Sequence, residues 1–189
     1  MESFRWIAIA LSMVLGLGVT RLLASLVVVF KSRNNSKLDW IPLVWAGNIF
    51  LWQIQFWWAI IELPGIVKVW TLGSFLTLLC LTLLLYVSAA LVLPHTELKN
   101  NESLLVSFEL DGRWSLVSLS AYFVLALFSD WWFWSMTPVS LKGTALTALI
   151  LLPYLFLWSR SRRLQEAISI IYILLSIWSA IALSPASYK

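Results

Sequence analysis

Cysteine and histidine are nearly absent from this chain: Cys80 and His95 are the only ones among 189 residues. A lone cysteine excludes an intramolecular disulfide, and one cysteine with one histidine leaves no metal site of the usual Cys/His kind. The same count excludes haem held by two histidines. Charge is scarce as well. Asp, Glu, Lys and Arg make up 12% of the residues, about half of what a soluble domain carries. The apolar runs contain no histidine and one well-placed acid, Asp130. Neither a nucleophile with its base nor two adjacent carboxylates can be assembled from them. No glycine-rich phosphate loop occurs. These absences point away from an enzyme, and from a metal or other cofactor.

Apolar residues are what the chain has in excess: 61% of the total, with 13 tryptophans and a mean hydropathy of +0.88. Several runs reach about twenty residues, the length an α-helix needs to cross a hydrocarbon core. The expected fold class is all-α, a polytopic transmembrane bundle. Six spans are read at about 4–30, 41–61, 70–93, 114–136, 144–158 and 167–183, forming one integral membrane domain over 1–189. The first run is too long and too charged for a cleaved signal. The net charge of +4 fits a membrane surface rather than nucleic acid.

Basic residues set the expected orientation. The first, third and fifth connectors hold Lys31, Arg33, Lys37, Lys99, Arg113, Arg160, Arg162 and Arg163, against Arg5, Lys68, Lys142 and Lys189 on the opposite face. Lysine and arginine collect on the cytoplasmic side, so both termini are expected outside, in an inner (plasma) membrane. Two glycosylation acceptor patterns, Asn34-Asn35-Ser36 and Asn101-Glu102-Ser103, would then lie on the wrong side for use.

Arg21 is set inside the first run, ten residues before Lys31. At helical rise this is roughly 15 Å from the interface, about half way through a ~30 Å core. An arginine keeps its charge there, so it needs a partner, a cavity or water. Ser12, Gly16, Thr20 and Ala24 recur every fourth residue, a spacing that lets another helix approach closely.

The second span is the most patterned. Trp45, Asn48, Trp52, Gln55, Ala59 and Glu62 follow at steps of three and four and share one helix face, while Gln53 points elsewhere. This face is either a packing seam or a lining for a substrate. The third span is plain, and Cys80 among its leucines reads as a core thiol. The connector Pro94–Arg113 contains SLLVSFEL, in which Val106, Phe108 and Leu110 alternate with Ser107 and Glu109; a surface-lying or a strand-like segment is expected. Pro153 should bend the fifth span.

Three candidate sites result. Arg21, Asn48, Gln53, Gln55, Tyr86 and Asp130 form a buried polar network, in which amides stand nearer to Arg21 than Asp130 does. Trp57, Trp58, Glu62, Asp130, Trp131 and Trp134 form an outer vestibule, because acids beside tryptophan faces hold organic cations. His95, Glu97, Glu109, Asp111 and Arg113 form a cytoplasmic contact loop. The expected function is that of a small channel-like or transporter-like protein. The alternative is a sensor or accessory subunit that binds a cytoplasmic partner through residues 94–113. Besides the lipid bilayer, a homo-oligomer or a membrane or cytoplasmic protein is the expected partner.

Overall fold

The structure is a computed structural model that describes residues 2–34, 36–61, 63–67, 70–98, 102–134 and 140–182, excepting the side chains of 2, 3, 66 and 132–134. Among these residues the regular structure is helical. The elements are α1 (Glu2–Lys31), α2 (Trp40–Ile60), the short α3 (Leu63–Ile66), α4 (Leu72–Leu91), the short α5 (Leu104–Ser107), α6 (Arg113–Trp134), α7 (Leu141–Trp158) and α8 (Arg162–Ala182). In lipid, backbone N–H and C=O groups have no water to bond, so an apolar run satisfies them within its own helix. Polar residues set the starts. Asp39 Oδ1 accepts from Ile41 N at 3.0 Å, Thr71 Oγ1 from Ser74 N at 3.2 Å, and Ser140 Oγ from Gly143 N at 3.1 Å, capping α2, α4 and α7.

Five helical segments are long and apolar enough to cross a membrane: Phe4–Asn34, Leu72–Leu91, Leu104–Trp131, Leu141–Trp158 and Arg162–Ala182. The expected second span, α2, is not among them. It is 21 residues long, but Asn48, Gln53, Gln55 and five tryptophans dilute its aliphatic content. By length and composition these five segments are compatible with a helical membrane protein.

The long helices close into a ring in the order α1, α4, α6, α7, α8, α2, and α2 also reaches across to α4. Ten of the 21 residues of α2 are buried, spread over a wide face. Its aromatic rings touch three partners. Trp45 packs on Tyr172 of α8 with centroids 4.5 Å apart and edge-on to Phe156 of α7 at 5.4 Å. Trp52 meets Phe123 of α6 edge-on at 4.8 Å. The α4–α6 contact relies on small residues instead. Ser115 Oγ donates to Ser88 O and Ser118 Oγ to Leu84 O, each at 2.8 Å. Such bonds between helices are worth about 0.6 kcal/mol each, and small side chains let the backbones come close.

Two expectations are corrected. SLLVSFEL is helical rather than strand-like. Leu104 and Phe108 are one turn apart and both buried, and a π-helical turn over Phe108–Gly112 leads into α6. Gly112 is needed there, because a β-carbon would collide with the Phe108 ring. Among the described residues the extended pairing here is a bridge between Lys37 and Ser103, with Lys37 N bonded to Glu102 O and Leu104 N to Lys37 O, both at 3.0 Å. Cys80 is exposed on the outer face of α4 rather than in the core, since a uniformly leucine-rich helix carries no periodicity to mark its inner face. α7 continues through the buried Pro153, and Ser120 Oγ donates to Ile150 O at 3.3 Å in the turn beside it.

At one end of the bundle, Arg162 Nη2 donates to Asp39 Oδ2 at 2.7 Å while Arg162 Nε donates to Glu166 Oε1 at 2.9 Å. Asp39 thus caps α2 with one oxygen and ties it to α8 with the other.

Candidate functional site

A cavity of about 140 Å³ opens between α2, α4, α6 and α7. Trp52, Phe56, Tyr122 and Phe123 supply aromatic walls, and Gln55, Ser129, Asp130 and Lys142 supply the polar groups. The rings hold one another nearly edge-on: Phe56 on Tyr122 at 6.2 Å, Tyr122 on Phe123 at 5.0 Å. Trp52 Nε1 donates to Ser176 Oγ at 3.3 Å, which fixes the indole from the α8 side. Ser129 Oγ donates to Leu125 O at 2.7 Å within α6.

Charge is concentrated in one pair. Lys142 Nζ lies 3.3 Å from Asp130 Oδ2, with the lysine side chain 31% exposed and the aspartate 14%. Asp130 occupies the last turns of α6 and Lys142 the first turn of α7. A carboxylate near a helix C-terminus and an ammonium near an N-terminus both oppose their helix dipoles, at about 0.3–1 kcal/mol each. Their placement is therefore not explained by the helices that carry them. Each is compensated by the other, at the wall of the cavity.

The network read from the sequence is divided by the fold. Gln53 is fully buried on another side of α2, against Gly18 of α1, which also lies close to the Tyr86 backbone of α4. Neither its Oε1 nor its Nε2 has a hydrogen-bond partner among the described residues. Asn48 is also fully buried; its Nδ2 donates to Val44 O at 3.0 Å in its own helix and its Oδ1 is unpartnered among the described residues. Arg21 is half-buried, with no hydrogen bond or ion pair among the described residues. Asp130 is paired with Lys142, not with Arg21. The stripe Ser12, Gly16, Thr20 and Ala24 lies off the buried seam of α1, and a β-carbon on Gly16 would meet nothing within 4 Å. The small residue that admits a neighbour is Gly18.

Of the outer vestibule, Asp130 lines the cavity. Trp57, Trp58 and Trp131 are exposed on the outside of the bundle; Glu62 and the side chain of Trp134 lie outside the described residues. Trp52 and Gln55, read as neighbours on one face of α2, do line the cavity together. His95, Glu97, Glu109, Asp111 and Arg113 are all exposed.

No protein-family model, curated protein or solved structure matches the chain.

Sequence reasoning missed Lys142, Tyr122, Phe123, Phe56 and Ser129. One signal was available for Lys142: opposite charges, twelve positions apart, flank a short connector between two apolar runs. The aromatic residues gave none, being three among the chain's many. Among the described residues, no three His, Cys, Asp or Glu side chains come together as metal ligands.

Proposed function

We propose that this is a transporter-like membrane protein of six spans, α2 being the sixth. It takes a small solute with a cationic or zwitterionic head and an apolar body into the cavity between α2, α4, α6 and α7. The observation that carries this reading is the Asp130–Lys142 pair set beside aromatic walls. A solute ammonium takes the place of Lys142 on Asp130. Ring faces of Trp52 and Tyr122 add cation–π attraction of about 0.5–2 kcal/mol. A solute carboxylate, where there is one, takes the released Lys142 ammonium, so charge is exchanged rather than stranded.

A carrier is favoured over an open pore. The bundle interior is also filled by Trp45 packed on both Tyr172 and Phe156, and the amides Gln53 and Gln55 face different sides of α2. By the distribution of basic residues, the cavity faces outward and both termini lie outside.

Uptake of labelled small amines and amino-acid-sized zwitterions into liposomes containing the purified protein tests the reading. Wild type moves at least one of them, and Asp130→Asn lowers its apparent affinity by about tenfold or more. Absence of both uptake and binding by folded wild-type protein removes it. A second reading, as an accessory subunit, rests on the exposed His95, Glu97, Glu109 and Asp111, whose segment is pinned to the first connector through Lys37.

A further inference from the structure

A second concavity, independent of the first, lies at the other end of the bundle. The π-helical turn before α6, the last turn of α7 and the first turn of α8 enclose a groove of about 330 Å³. Its rim carries Arg113 and Arg160 with Glu109, and its floor is the rings of Phe108 and Phe156, edge-on at 5.9 Å. Both rings are buried. The turn from α7 to α8 is held by Gln165 Nε2 donating to Ser159 O at 3.2 Å and by Ser159 Oγ donating to Ser161 O at 3.3 Å.

Two guanidiniums point at this groove without carboxylate partners. Among the described residues Arg160 makes no hydrogen bond or ion pair, and Arg113 makes none besides its contact with the Trp114 ring, 5.6 Å from the centroid. Glu109 offsets one of the two charges, which leaves the rim cationic. Arg162, by contrast, is already engaged by Asp39 and Glu166.

We propose that this groove is a binding site for the phosphate headgroup of an anionic glycerophospholipid. Guanidiniums bind phosphate oxygens through paired N–H donors, and basic grooves between helix ends at a membrane surface recognise anionic headgroups. A free phosphate has no use for an aromatic floor. A lipid does, because its glycerol and upper acyl carbons continue from the headgroup along apolar surface. That surface is present: Leu157 of α7 lines the groove, and the exposed Trp114 and Trp158, next in the chain to Arg113 and Ser159, are of the kind that marks an interfacial level. The site differs from the proposed solute cavity in position, charge and occupant, so either assignment stands without the other.

Native mass spectrometry of the detergent-solubilised full chain with equimolar phosphatidylglycerol and phosphatidylcholine tests the site. Wild type retains phosphatidylglycerol in preference to phosphatidylcholine. Arg113→Gln and Arg160→Gln each reduce that preference by about fivefold, Arg160→Lys keeps only part of it, because the charge remains but the paired donors are lost, and Glu109→Gln raises it. Both arginines are exposed, so the variants are checked for folding simply by helical circular dichroism and elution volume. Equal retention of the two lipids by wild type overturns the proposal, as does a preference unchanged in the Arg113→Gln/Arg160→Gln double variant. Displacement of the lipid by excess inorganic phosphate also overturns it, and assigns the arginines to a soluble phosphate instead.

Discussion

Removing Lys142 should harm the fold more than removing Asp130, although the two form one ion pair. At 3.3 Å the gross attraction is about 5 kcal/mol at an effective dielectric of 20 and about 1.3 kcal/mol in bulk water. The lysine is nearly one-third exposed, so screening and desolvation bring the net coupling to about 1–2 kcal/mol. The single substitutions are not symmetric. Lys142→Met leaves the Asp130 carboxylate, 14% exposed, unpaired at the C-terminal end of α6, where the helix dipole also opposes it. An uncompensated charge of this sort costs about 2–4 kcal/mol. Asp130→Asn leaves a lysine whose flexible stem can carry the ammonium to the surface, at about 1 kcal/mol. The double variant Asp130→Asn/Lys142→Met should recover most of the larger loss. Equilibrium unfolding of the four proteins in lipid–detergent bicelles measures the cycle. A coupling below about 0.3 kcal/mol, within the scatter of independent sites, would refute the pairing. A larger loss for Asp130→Asn than for Lys142→Met would refute the argument from burial and dipoles.

Two further outcomes follow from the divided polar network. Gly18→Ala places a methyl group against the Gln53 carboxamide and should destabilise by about 1–3 kcal/mol; Gln53→Ala in the same chain relieves the clash. Gln53→Met alone should be neutral or stabilising in the same unfolding assay, because it deletes a buried amide that bonds to nothing among the described residues, and a loss of more than about 1 kcal/mol would mean that the amide has a partner. Arg21 clasps no neighbour among the described residues, so Arg21→Leu should leave unfolding unchanged or raise stability, by up to the ~2.5–3.5 kcal/mol that a mid-membrane charge costs. Marked destabilisation would restore the clasp.

Much of the secondary structure was legible because lipid leaves an apolar run little choice: its backbone must bond internally, so the run is a helix. The caps at Asp39 and Thr71 and the stop at Arg160 stand where polar residues interrupt those runs. Short patterns were less dependable. Three alternating residues around Phe108 imitate a strand, but Leu104 and Phe108 point the same way once Gly112 lets the π-helical turn form. In the site, Trp52, Gln55 and Asp130 were visible as polar or aromatic residues at notable spacing, while Lys142 and the Tyr122–Phe123 wall were not.

The sequence by itself determined the apolar character of the helices and the small set of polar residues that they carry. Periodicity along α2 even separated Gln53 from the face of Trp52 and Gln55. The lateral order of the ring was decided only by tertiary structure. Lipid tails are as apolar as a leucine side chain, so a helix that is apolar all round does not record which side meets a neighbour and which meets the bilayer. Cys80 therefore faces outward, Gly18 rather than Gly16 makes the close contact, and Asp130 is matched with Lys142 instead of Arg21. Which charges meet depends on shape complementarity between helices far apart in the chain, and that is fixed only when they pack.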